Sequence, residues 1–253
     1  MHRPILIAGR GHTLWAVEHV PERGEQVPVV IICPGVTGTK VGPHRMLRSI
    51  SLVLEEIGVA SIRFDFFGSG ESDGEFSEVT FSSQVQDVLT VLEHARSDPR
   101  IRADQVGLLG LSMGGLVAAV AAGQRADDIR KLALLAPLVV LPAIARRILA
   151  SRTNSRLDVF DYHGNRFGIR FGEDIVQLDL MRMAGAFAGD LLIVQGNGKG
   201  EVSWHDVAAF RRDVYDGRGI LQTIEGANHT FDGGLWEAQV LECLRAFWQS
   251  GQP

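Results

Sequence analysis

The chain has 253 residues, 45% of them hydrophobic and 22% charged, with a formal net charge of −5. That usage is ordinary for a globular protein and the length suits one large domain, residues 1–253, with a generous core. Lysine and arginine are outnumbered and scattered, which excludes the basic footprint of a nucleic-acid binder.

No stretch approaches the roughly 18 uninterrupted apolar residues of a membrane span, and the apolar run at residues 4–8 is too short for a secretion signal. A cytoplasmic protein with no membrane partner is therefore expected. Cys33, at a strand end, and Cys243, inside a helical pattern, read as buried small hydrophobes and form no metal-ligand cluster, so neither metal nor cofactor is expected.

In chain order, residues 4–8 and 13–20 are β-rich runs separated by Gly9-Arg10-Gly11, which predicts an antiparallel hairpin at a sheet edge. Residues 27–33 form a continuous apolar run, the pattern of a strand buried on both faces, and lead into the glycine-rich loop Pro34 to Lys40. Met46, Leu47, Ile50, Leu54 and Ile57 recur at helical spacing, with Gly58 ending the helix. Residues 59–67 make a strand that runs into Gly68-Ser69-Gly70, and Val85, Val88, Leu89 and Leu92 mark a helix over 81–95.

A short apolar strand then turns at Gly110-Leu111-Ser112-Met113-Gly114 and continues as an Ala-rich helical segment. In such a G-x-S-x-G turn the serine is held in a strained conformation at a helix N-terminus, and side chains at the flanking glycines would strike the adjoining strand and helix. Residues 131–136 are a buried strand. Strands and helices thus alternate from residue 28, which predicts a mostly parallel sheet covered on both faces.

The alternation breaks between about residues 137 and 189. That segment holds a basic helical piece at 144–151 and, over 161–171, an alternating run around Gly164-Asn165 that predicts a small hairpin. An insertion there is expected to act as a lid and supply a substrate pocket. A strand at 191–195, a helix at about 203–212 and a last strand at 219–224 follow, delivering Gly226-Ala227-Asn228-His229 before a closing helix whose apolar face carries Leu235, Val240, Leu244, Phe247 and Trp248.

Gly35-Val36-Thr37-Gly38, Arg63-Phe64-Asp65-Phe66 before Gly68-Ser69-Gly70, the serine turn, the hairpin segment from Asp161-Tyr162 to Phe167 and Gly226 to His229 occur in an order and spacing that resemble the α/β-hydrolase superfamily. Within it the chain resembles feruloyl and cinnamoyl esterases and the neighbouring serine aminopeptidase and monoglyceride lipase group, over nearly its whole length. The resemblance implies a carboxylic-ester hydrolase acting on small to medium acyl or hydroxycinnamoyl-type esters, with Ser112 as nucleophile and His229 as general base, working through an acyl-enzyme. It implies an oxyanion hole made by the main-chain amides of Val36 and Met113. Its partner is then a small-molecule ester; thioesterase, lipase or peptidase activity on the same fold, and a homodimer, are left open.

Three positions depart from the pattern. Pro34 stands where a histidine usually precedes the oxyanion glycine, a change expected to alter loop stiffness more than chemistry. Phe67 replaces a polar or basic residue and is expected to make that wall more apolar. Lys199 occupies the place of the triad aspartate, and a lysine beside His229 would disfavour the imidazolium that the mechanism generates. Glu201, two residues on in a pliable Gly198–Gly200 loop, is then the candidate acid, with Asp206 and Asp232 as further candidates; otherwise the chain is an impaired, ligand-binding homologue.

Asp65 is expected to fix the following glycine loop rather than to act in chemistry. His44, His94, His163 and His205 read as surface or local hydrogen-bonding groups. Phe160, Tyr162, Phe167 and Phe171 either line an aromatic acyl pocket or pack the lid onto the sheet. Neither glycine-rich loop matches a phosphate-binding or dinucleotide fingerprint.

Overall fold

A computed structural model describes residues 2–22, 26–150, 159–162, 164–200 and 202–250, with the side chains of 160–162 excepted. Among the described residues ten strands and eight α-helices run in the order β1 (His2–Gly9), β2 (His12–His19), β3 (Val27–Cys33), α1 (Met46–Glu56), β4 (Ala60–Phe64), α2 (Phe81–Ser97), β5 (Ile101–Leu111), α3 (Met113–Gln124) and β6 (Ile129–Leu135). They continue as α4 (Leu141–Ala150), β7 (Val159–Tyr162), β8 (Asn165–Gly168), α5 (Ile169–Gln177), α6 (Leu180–Gly185), β9 (Asp190–Gly196), α7 (Trp204–Tyr215), β10 (Ile220–Ile224) and α8 (Gly234–Gln249).

Eight strands form one sheet in the order β1-β2-β4-β3-β5-β6-β9-β10. The β1–β2 hairpin joins antiparallel at one edge, and the strands from β4 onward are mutually parallel. This is the mixed sheet of an α/β-hydrolase. Strand alternation divides the core: Val29, Ile31 and Cys33 face one apolar layer while Val30 and Ile32 face the other. The first layer is closed by residues of α2, α3, α6 and α7, the second by Leu47, Ile50 and Leu54 of α1 and Val240, Leu244 and Trp248 of α8.

Helix α3 is buried on nearly every side, which explains why its sequence is apolar all round instead of amphipathic. Helices α2 and α7 begin at Thr80 and Ser203, whose side chains accept the amides of Ser83 and Asp206 in reciprocal capping boxes.

The structure differs from expectation between β6 and β9. The predicted hairpin exists as β7–β8, but it ends at Gly168. Residues 169–171 belong instead to α5, whose Phe171, Gly172 and Ile175 face inward at helical spacing. Helix α6, at six residues, is too short for a helical period to stand out in the sequence. It packs where Gly123 of α3 approaches so closely that a Cβ there would stand 1.8 Å from the Met183 carbonyl oxygen. Among the described residues no helix is long and apolar enough to cross a membrane.

Candidate active site

Strand β5 ends at Leu111, and the next residue, Ser112, holds φ 55° and ψ −121° as the residue before α3. A non-glycine residue at positive φ costs about 1–3 kcal/mol and survives only where its surroundings fix it. Here the Ser112 amide donates to the Leu135 carbonyl at 2.8 Å, while its own carbonyl accepts from Gly115 and Leu138 at 3.0 Å each.

The flanking glycines are required by contact. A Cβ on Gly110 would lie 2.2 Å from the Gly114 carbonyl oxygen, and one on Gly114 would lie 2.1 Å from that of Pro34. The same closeness brings the loop after β3 against the serine: a Cβ on Gly35 would stand 3.4 Å from Ser112 Cβ.

His229 follows β10 in a turn of its own. Asn228 donates its side-chain amide to Asp232 and accepts the Asp232 main-chain amide at 3.2 Å, and Phe231 closes the turn at φ 55°. The result places His229 Nε2 2.8 Å from Ser112 Oγ, across 117 residues of sequence. An imidazole nitrogen at that distance can take the hydroxyl proton. The Met113 amide, first in α3, has no acceptor within its helix and stands at the positive end of the helix dipole.

Glu201 lies outside the described residues, as does His163. The loop that leads to Glu201 is nonetheless held at the histidine: the Gly198 amide donates to Ala227 at 2.9 Å, and a Cβ on Gly200 would be 3.4 Å from His229 Cβ. Lys199, which replaces the expected aspartate, is exposed. The other two candidate acids are engaged elsewhere, Asp206 in capping α7 and Asp232 with Asn228.

Val36 and Met113 form part of the wall of an apolar cavity of about 110 Å³. Leu138, Leu141, Ile144, Ala145, Ile148, Leu149, Phe167, Ile169, Phe171, Gly172 and Ile175, from the segment between β6 and β9, also line it, and among the described residues the lining offers no polar side chain. Phe167 and Phe171 line the cavity and are also buried in the core, their rings edge-on to each other with centres 5.0 Å apart. The side chains of Phe160 and Tyr162 lie outside the described residues. Phe67 is not on the cavity wall; its ring packs on His12 at 4.8 Å, so the expected apolar wall is not built by it. A larger cavity of about 580 Å³, lined by Gln105, Arg130, Lys131, Asp190 and Trp248, opens at the opposite ends of the strands, far from the serine.

Asp65 fixes the glycine loop as expected, and also the loop after β3. Fully buried, it accepts from the Glu71 amide at 3.1 Å and from both the amide and the ammonium of Lys40 at 2.6 Å. Lys40 also reaches Glu71 at 2.7 Å, and Arg63 donates to the Lys40 carbonyl at 2.7 Å. Burial alone would lower the Lys40 pKa, but the hydrogen bonds it donates to Asp65 and Glu71 prevail and hold it above the ordinary value. Asp87 was not singled out in the sequence because it sits on a helix of ordinary pattern. It is buried, its carboxyl is pushed up by that burial, and it accepts the Phe67 amide at 3.0 Å beside His12 and Arg10.

Compared with known proteins, residues 24–159, more than half of the chain, match the family model Hydrolase_4, described as serine aminopeptidase, S33. The solved structure of Est1E from Butyrivibrio proteoclasticus with ferulic acid bound is similar over 96% of this chain and 97% of that one, with TM-score 0.87 and 27% identity. The human mitochondrial palmitoyl-protein thioesterase ABHD10 is 31% identical over 102 residues, 40% of this chain and 31% of that protein. An uncharacterized 31.7 kDa protein of Escherichia coli is 34% identical over 96 residues, 38% of this chain and 32% of that protein. The chain thus spans about a third of the length of the curated relatives it matches.

Proposed function

Because the chain belongs to the serine aminopeptidase S33 family of α/β-hydrolases, we propose that it hydrolyses carboxylic esters of apolar acyl groups through a covalent acyl-enzyme. The observation that carries this is the 2.8 Å contact between His229 Nε2 and Ser112 Oγ. Ser112 attacks the ester carbonyl as His229 takes its proton, and the tetrahedral oxyanion is received by the amides of Val36 and Met113. His229 returns the proton to the leaving alcohol, then activates water to release the acid. Each oxyanion donor of this kind contributes about 2.7–4 kcal/mol in other enzymes. Glu201 serves as the acid that orients His229, supported by the seating of Gly198 and Gly200 against the histidine turn.

The cavity favours a short linear acyl chain. At about 110 Å³ it is smaller than the roughly 150 Å³ apolar cavity known to hold benzene in another protein, and among the described residues its walls offer nothing to a phenolic hydroxyl. An aromatic hydroxycinnamoyl substrate is the second reading, favoured by the likeness to Est1E with its bound ferulic acid. A thioester would use the same steps, in keeping with the ABHD10 relatives.

A fluorophosphonate probe together with p-nitrophenyl esters of increasing chain length and methyl ferulate tests these readings. Labelling that is lost in Ser112→Ala, with turnover best for short straight chains, is expected. Preference for ferulate selects the aromatic substrate, and binding without labelling or turnover would sink the hydrolase reading in favour of a ligand-binding homologue.

A further inference from the structure

The loop between β3 and α1 carries Val36 near one end and His44 near the other, and His44 reaches the turn that presents His229. Its Nε2 lies 2.9 Å from the Thr230 carbonyl oxygen, one residue beyond His229, and its Nδ1 lies 2.9 Å from Glu237 Oε2 in the first turn of α8. His44 and Arg45 both adopt left-handed backbone, with φ 38° and 67°. Two successive strained residues persist only where surrounding contacts dictate them. The ring contacts of His44 are of that kind.

A carbonyl oxygen only accepts, so the contact at Nε2 is one in which the ring donates to Thr230.

Resting on the serine-hydrolase reading above, we propose that His44 is a positioning residue. Placed by its Nδ1 contact with Glu237, it donates from Nε2 to the Thr230 carbonyl and through it keeps His229 in line with Ser112. Of the other charged groups on the elements that meet here, Asp232 is taken up by Asn228, and Glu56 of α1 pairs with Arg245 of α8. Among the described residues Glu237 alone forms an ion pair with His44.

His44→Phe is expected to lower kcat roughly 10- to 100-fold with KM nearly unchanged, the cost of a misplacement of about 1 Å. His44→Gln, which can still donate to Thr230, should recover part of kcat, and it serves where the phenylalanine variant does not fold. Wild-type kcat in His44→Phe, a rise in KM that accounts for the loss, or no recovery in His44→Gln would each overturn the proposal. Absence of fluorophosphonate labelling at Ser112 in the wild type would instead remove the hydrolase reading on which it rests.

Discussion

Asp65 shows how much a single side chain can coordinate without touching substrate. Its carboxylate gathers the Lys40 amide, the Lys40 ammonium and the Glu71 amide, tying the loop that carries Val36 to the glycine loop after β4. In Asp65→Asn the side chain keeps one acceptor oxygen and turns an N–H₂ toward a donor, so one buried bond is lost and replaced by repulsion. The expected outcome is a fall in kcat of about tenfold, because a shifted oxyanion amide acts on the transition state and not on substrate binding. Comparing inhibition by a boronic acid, which mimics the tetrahedral state, with KM for the matching ester checks it: the boronic acid should lose affinity while KM holds, and a parallel loss in both would assign Asp65 to general folding. The role of Asp65 could be read from its place between a strand and a glycine loop. That of Lys40 could not, since a lysine in a loop looks the same whether it is solvated or bound to a buried carboxylate 25 residues away.

Among the elements, those with one strong periodicity were legible and those that change period were not. The β1–β2 hairpin, the run of parallel strands and the amphipathic helices α1, α2 and α8 emerge close to their expected places because a single pattern runs through each. From Asn165 to Phe171 alternation continues unbroken in sequence, yet Gly168 is where extended chain becomes α5. Phe171 satisfies both patterns, so only packing decides. The segment between β6 and β9 also yields a test of the proposed acyl cavity. Ala145 of α4 is buried on its wall, and Ala145→Leu adds bulk there. Turnover of hexanoyl esters should fall about tenfold or more relative to acetyl esters, since a chain that no longer fits must force its surroundings at roughly 1–3 kcal/mol. Equal loss on both esters would place the acyl chain elsewhere. At the serine turn, Gly114→Ala should lower the urea midpoint of unfolding sharply by driving a methyl group into the Pro34 carbonyl; an unchanged midpoint would mean that β3 and α3 can separate without penalty.

On the scale of the whole molecule, the parallel pairing brings the carboxyl ends of β3, β5, β9 and β10 to the same end of the sheet. The candidate oxyanion loop, Ser112, the loop toward Glu201 and His229 therefore converge from points far apart in sequence, at the end of the strands where open α/β sheets hold their ligands. The opposite flank of the sheet carries a consequence for stability. His19, at the end of β2, is 1% exposed and accepts from the Arg63 guanidinium at Nε2, 3.0 Å away. Burial first, then the neighbouring positive charge of Arg63, lowers its pKa from 6.5 to about 4. Below pH 6.5 the unfolded chain takes up a proton that the folded chain refuses until about pH 4, so this residue withdraws stability as pH falls through that window. The full effect is on the order of 3 kcal/mol, at about 1.36 kcal/mol for each pH unit. Asp87 acts in the opposite sense: burial raises its pKa, so its folded form gains protons first and acidification relieves a buried charge. The net slope of the wild-type curve mixes the two, and His19→Gln separates them, because glutamine can still accept from Arg63 but does not titrate. Urea unfolding of both proteins between pH 7 and 4 should show the wild type losing stability faster than the variant, the gap opening from pH 6.5 downward. Parallel curves would mean that His19 finds its proton in the folded protein as readily as outside it.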